Sequence, residues 1–146
     1  MKVLYSTKCT ATGGRDGHAE SDDGNLSVDL SMPKKLGGMG SAGATNPEQL
    51  FAAGYAACFE SAIRHVARLK KYQVPGLTVE CEVGLVPVES GFGLVVSLHP
   101  VFTGIEDDKR KELVTAAHKA CPYSNAIKGN IEVKFTINAV AFVPKM

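Results

Sequence analysis

The sequence predicts an α+β domain, antiparallel sheets around one long central helix, in a chain of 146 residues. Three observations predict it. Leu26-Ser27-Val28-Asp29-Leu30-Ser31-Met32 and the segment from Thr78 to Val86 alternate apolar and polar residues, the period of half-buried strands. Leu50, Phe51, Gly54, Tyr55, Cys58, Ser61, Ala62, His65, Val66 and Leu69 recur at helical spacing. The segments follow in the order β-β-β-α-β-β-α-β, runs of strands interrupted by helices rather than strict alternation. The length suits a single domain over residues 1–146, large enough to bury a core without disulfides.

In chain order, Lys2 to Thr12 is rich in strand formers, and Gly13-Gly14-Arg15-Asp16-Gly17 reads as a turn. His18 to Asp22 is the expected return strand, Asp23-Gly24 the next turn, and Leu26 to Met32 the third strand. A Gly-rich loop runs from Pro33 to Ala44. The long helix then starts with Thr45 or Asn46 as cap, Pro47 in its first turn, and Glu48 three residues after Thr45 as in a capping box. Its other faces carry Ala52, Ala53, Ala56 and Ala57, so it reads as buried nearly all round. Arg68, Lys70 and Lys71 at its end complement the helix dipole. After the break at Pro75-Gly76, Thr78 to Val86 and Phe92 to Phe102 form a hairpin across Glu89-Ser90-Gly91. Glu106 to Ala120 is a second helix ended by Pro122, and Ile131 to Val143 a long last strand.

The formal net charge is +1 with Lys and Arg scattered, which argues against a nucleic-acid surface or a polybasic membrane patch. The first residues hold no signal-peptide-like apolar run, and no stretch is apolar enough to span a bilayer, so a cytoplasmic location is expected. Structural disulfides are rare there, which gives a chemical interest to the four cysteines, Cys9, Cys58, Cys81 and Cys121. No C-x-x-C pair is among them.

Several motifs carry little. Gly38-Met39-Gly40-Ser41-Ala42-Gly43 matches G-x-G-x-x-G in letters only, because Pro33-Lys34-Lys35 intervenes between the strand and the loop. His118, three residues before Cys121, is at most half a metal site, and His18, His65 and His99 read as ordinary surface or core histidines. Cys9 and Cys81 share strand faces with Tyr5 and Ala11, and with Val79 and Val83, and read as small buried hydrophobes. Cys58 admits two readings, a small residue on a packed face or a reactive thiol. Cys121 is pushed out of helical conformation by Pro122, and if the following turn is helical its thiol stands at that turn's start. Arg15 among Gly13, Gly14 and Gly17 reads as a solvated hairpin charge or as a guanidinium held up by a tight bend.

Three blocks together resemble the organic hydroperoxide resistance proteins, within the wider superfamily of the osmotically inducible peroxidases. They are Thr12-Gly13-Gly14-Arg15-Asp16-Gly17, the run from Asn46 to Phe59, and Cys121-Pro122-Tyr123-Ser124-Asn125-Ala126 with Gly129-Asn130-Ile131. The resemblance implies a thiol-dependent peroxidase in a tightly intertwined homodimer. It implies Cys58 as peroxidatic cysteine, Cys121 as resolving cysteine, Arg15 as the arginine holding the thiolate and Glu48 as its carboxylate partner. It implies dihydrolipoyl groups of lipoylated proteins as reductant, and no metal, haem or flavin cofactor.

The chemistry suits those residue types. A thiol of pKa about 8.5 is mostly protonated at neutral pH, and a mid-helix Cys58 needs an external cation to ionise. Arginine stays charged, and Glu48 would orient it by a two-point contact. The cycle is then attack on the peroxide, a Cys58 sulfenic acid, a Cys58–Cys121 disulfide, and reduction by an external dithiol. Phe51, Tyr55 and Phe59 are candidate apolar surface for an alkyl or fatty-acyl hydroperoxide. Glu48 and Cys58, ten residues apart on one expected helix, are separated by ~15 Å along its axis, which favours a site shared between two chains over a bent helix. The alternatives are an osmotically-inducible-type peroxidase of broader specificity, and a thiol redox sensor or lipid carrier without turnover.

Overall fold

The computed structural model describes residues 1–146. The chain is an α+β protein in two compact units, Met1–Leu50 and Phe51–Met146. The first unit holds an antiparallel three-stranded sheet of β1 (Cys9–Thr12), β2 (His18–Ser21) and β3 (Ser27–Asp29) in sequence order. Thr12 pairs with His18, and Ala19 pairs with Val28. The expected strand from Lys2 begins only at Cys9. Strand propensity is realised only where a partner offers a ladder, and β2 is four residues long. Val3, Leu4 and Tyr5 are left exposed, as is Cys9, which corrects its reading as a buried small residue. Beyond β3 the chain stays extended far enough for buried Leu30 to bridge Thr45.

The long helix α1 spans Pro47–Lys70. Its cap is Asn46, whose Oδ1 accepts the Gln49 N–H at 2.8 Å, while Thr45 Oγ1 donates to the Gln49 side chain. The expected Thr45–Glu48 box does not form; Asn46 caps the helix alone, and Glu48 is free for another partner. Within the chain α1 buries one face, Tyr55, Phe59, Ala62, Ile63, Val66 and Ala67, and exposes Ala53, Ala57, Ser61, His65 and Leu69. The expectation of burial all round is corrected to this single stripe, spaced i, i+4, i+7, i+8 as for a helix lying on a core.

The second unit supplies that core. β4 (Thr78–Val88) and β5 (Gly91–Val101) form a long antiparallel hairpin. β6 (Val133–Ile137) joins β5 in parallel and β7 (Val140–Phe142) closes the sheet in the order β4-β5-β6-β7. The parallel pair makes this sheet mixed rather than wholly antiparallel, because α2 (Asp107–Ala120) and α3 (Pro122–Ile127) carry the crossover between β5 and β6. Val96, Leu98 and Pro100 of β5, Phe135 and Ile137 of β6, and Leu113, Val114 and Ala117 of α2 join the α1 stripe in the buried core. The expected single last strand is instead a hairpin, turned at Asn138 and Ala139 with φ of 46° and 67°. Asn138 earns the turn by bonding both main-chain groups of Phe102, at 2.8 and 2.9 Å. No helix is long and apolar enough to cross a membrane.

Candidate active site

In the first unit, Gly13 and Gly14 at φ of 75° and 60° fold the segment after β1 into a short 3-10 turn, Gly14–Asp16. A side chain at Gly17 would collide with the main chain of Thr12, so this turn needs glycine at both ends. Arg15 stands out of it toward the first turn of α1. Its two terminal nitrogens donate to Glu48 Oε2 at 2.8 Å and Oε1 at 2.6 Å. This two-point contact fixes the guanidinium plane. The hydrogen bonds from Arg15 hold the Glu48 carboxyl below its usual range, and Glu48 in turn raises Arg15. The arginine is thereby a permanently charged group of fixed orientation, still about a third exposed at 31%.

In the second unit, Cys58 on α1 and Cys121 between α2 and α3 bring their sulfurs to 3.5 Å, within hydrogen-bond reach of each other. Both are free thiols; Cys121 is fully buried and Cys58 partly so. Cys121 is extended, φ −68° and ψ 124°, ending α2 and capping α3 at once. Pro122 explains this: it forbids helix at the residue before it and suits the first position of the helix after it. The first main-chain N–H groups of a helix lack partners within it, and Pro122 has none to offer. The Tyr123 N–H is the first free donor, and the Tyr123 main chain lies near enough to Cys58 to lower its thiol.

Burial pushes the Cys58 thiol up, the Tyr123 N–H pulls it down, and the adjacent Cys121 sulfur adds to the rise. The net is upward, so the unit around Cys58 alone does not make a ready thiolate. Cys81, packed at the core's edge on β4, is pushed by burial to about 11 and is an inert thiol.

The apolar candidates divide. Tyr55 and Phe59 are wholly buried core residues, while Phe51 is half-buried, its ring set edge-on to both Tyr55 and Tyr123 at 6.1 and 6.0 Å. Tyr123, absent from the sequence-based candidates, packs its ring so closely on α1 that a side chain at Gly54 would overlap its hydroxyl. The pairing of a glycine at mid-helix with a tyrosine after Cys-Pro was the available signal. Ser124, also not singled out, is 3% exposed and hydrogen-bonds Tyr55 and His118. No three His, Cys, Asp or Glu side chains converge as a metal cluster.

The fold and the two contacting thiols define an α+β protein built around a dithiol centre. The chain belongs to the OsmC-like protein family, whose model matches residues 38–136. Among its relatives, an organic hydroperoxide resistance protein of Xanthomonas campestris pv. phaseoli is 50% identical over 137 residues, covering 93% of this chain and 96% of the relative. OhrB of Bacillus subtilis is 47% identical over 139 residues, covering 92% and 98%. The crystal structure of an organic hydroperoxide resistance protein from Legionella pneumophila superposes with a TM-score of 0.89 at 53% identity, covering 94% of this chain and all of the other. That of Bacillus subtilis OhrB gives 0.84 at 46% identity, covering 92% and 99%.

Proposed function

We propose that this chain is a cysteine-based peroxidase that reduces organic hydroperoxides to alcohols. The observation that carries the reading is the 3.5 Å contact between the Cys58 and Cys121 sulfurs. A disulfide needs the sulfurs at about 2.05 Å, so a modest shift of one side chain closes the bond. The Cys58 thiolate attacks the outer oxygen of the hydroperoxide; the O–O bond breaks, and the alkoxide takes a proton and leaves as the alcohol. Cys58 is left as a sulfenic acid. Cys121 attacks that sulfur, its proton leaves with the hydroxyl as water, and the disulfide forms. An external dithiol restores both thiols by two exchanges and is itself oxidised to a disulfide.

Cys58 needs a cation because its own surroundings raise it, and Arg15, held by Glu48, is the cation we assign. Phe51 and Tyr123 offer apolar surface beside the thiol, which suits an alkyl or fatty-acyl hydroperoxide. The names of the relatives, organic hydroperoxide resistance proteins, support the substrate class. The reductant is a dihydrolipoyl group of a lipoylated protein, the assembly a homodimer, and the location the cytoplasm.

One assay tests the reading. Consumption of cumene hydroperoxide is expected to be faster than that of hydrogen peroxide, and to be supported by dihydrolipoamide better than by glutathione or thioredoxin. Stoichiometric binding with no alcohol formed would point to a carrier instead. After one equivalent of hydroperoxide, peptide mapping is expected to find the Cys58–Cys121 bond within one chain and Cys9 and Cys81 free; Cys9 or Cys81 as the main oxidised site would contradict it.

A further inference from the structure

Ser124 Oγ lies 2.6 Å from the Tyr55 hydroxyl and 2.8 Å from His118 Nδ1. Tyr55 is 0% and Ser124 3% exposed, and His118 stands edge-on to Phe135 with ring centroids 5.0 Å apart. The three residues sit at matching places on three elements. Tyr55 is three residues before Cys58 on α1; His118 is three before Cys121 on α2; Ser124 is three after Cys121 on α3. One serine hydroxyl thus ties together the three helices that present the two sulfurs.

The direction of the bonds is set by counting hydrogens. With His118 neutral and Nδ1 unprotonated, Tyr55 donates to Ser124 and Ser124 donates to His118, so every buried hydrogen has an acceptor. With Nδ1 protonated it donates to Ser124, and one of the two hydroxyl hydrogens is left without an acceptor within this trio. Burial holds His118 below its usual range, with nearby Lys128 adding to this, in keeping with the neutral state. A buried hydroxyl without a partner loses its hydration with nothing in return, and phenylalanine and alanine would fill the same space without that hazard. The gain from retaining polar groups here is geometric: directional bonds fix the α2–α3 junction against α1, where apolar packing alone tolerates sliding.

We infer that Tyr55, Ser124 and His118 are positioning residues that hold the Cys121 thiol against Cys58 and thereby set how fast a Cys58 sulfenic acid closes to the disulfide. The inference rests on the peroxidase reading above and assigns these residues no contact with substrate. Loosening the junction lengthens the mean sulfur separation, and an attack that depends on near-contact slows accordingly.

The test is a partition measurement on the full-length protein. One equivalent of cumene hydroperoxide is added in the presence of dimedone, which traps sulfenic acid, and mass spectrometry gives the ratio of Cys58–Cys121 disulfide to Cys58 adduct. The ratio compares two fates of one intermediate, so a variant that merely reacts less with peroxide does not change it. Ser124→Ala is expected to lower the ratio at least tenfold. His118→Asn, whose amide can stand in for Nδ1, is expected to stay nearer the wild type than His118→Leu. If Ser124→Ala does not fold, Tyr55→Phe, which keeps the ring, is expected to lower the ratio in the same direction. Wild-type partition in folded Ser124→Ala or, where that variant fails to fold, in Tyr55→Phe would overturn the inference while leaving the peroxidase reading intact. A wild-type protein giving neither adduct nor disulfide would overturn the peroxidase reading itself.

Discussion

A cysteine in the middle of a helix finds the main-chain N–H groups around it already bonded, and the group that pulls the Cys58 thiol down is the main chain of Tyr123 at the start of another helix, α3. This division of labour predicts distinct failures for the two cysteines. Cys58→Ser is expected to abolish hydroperoxide turnover. Cys121→Ser is expected to react once and then stall, with mass spectrometry showing sulfinic or sulfonic acid at Cys58, because the sulfenic acid has no thiol to condense with. Full steady-state activity in Cys58→Ser would remove Cys58 from the mechanism. The Arg15–Glu48 pair makes a prediction in pH. Glu48 is depressed when folded, so the pair's contribution to stability is complete above the unfolded carboxyl value, about 4.3. It is lost as pH falls through the lower folded value. Arg15 stays charged throughout. Thermal melts between neutral pH and about pH 3 are therefore expected to show a smaller acid-induced drop in Tm for Glu48→Gln than for the wild type; equal drops would mean the pair adds nothing to stability.

The start of α1 shows how one-residue details at an element's end decide what a side chain is free to do. Thr45 and Asn46 are both sound caps by type, and the capping-box spacing from Thr45 falls on Glu48. Asn46 takes the role through Gln49, and Glu48 turns to Arg15 instead. Asn46→Ala is expected to cost about 0.5–2 kcal/mol in urea unfolding, the range for a lost helix cap. Thr45→Ala, which removes only a side-chain contact to Gln49, is expected to cost less; the reverse ranking would restore the Thr45 cap. At Cys121 the Cys-Pro step alone dictated the break between α2 and α3, because proline constrains the residue before it whatever the surroundings. The last strand went unread as two. Ile131 to Val143 is rich in strand formers on both sides of Asn138-Ala139, and the reversal there is fixed by Asn138 reaching the main chain of Phe102, a contact 36 residues distant.

At the scale of the whole molecule, the proposed peroxidase needs a route by which an arginine reaches the thiol. Glu48 and Cys58 lie on α1, which is uninterrupted from Pro47 to Lys70. Ten residues of helix rise ~15 Å, a span one guanidinium does not bridge. A homodimer in which Arg15 and Glu48 of one subunit serve Cys58 and Cys121 of the other removes the difficulty. Mixing Arg15→Ala chains with Cys58→Ser chains, each inactive alone, is expected to restore activity, since a mixed dimer gathers both lesions in one site and leaves the other intact. Confirmed subunit exchange without recovered activity would rule out the shared site.

By itself the sequence determined the α+β class, the long helix and the β4–β5 hairpin, and its resemblance to a family marked out Arg15 between its glycines, Glu48 in a first turn, Cys58 at mid-helix and Cys121 before proline. The elements are local signals, carried by neighbours within about two helical turns or one strand, whereas the four residues stood out only as parts of blocks spread along the chain. Only the tertiary structure decided that Cys9 is exposed, that Tyr55 and Phe59 lie wholly in the core, and that Ser124 joins Tyr55 across 69 residues. The physical reason is the same in each case. Propensity and periodicity say which face of an element is apolar, but burial, partner choice and thiol acidity depend on what the rest of the chain sets against that face.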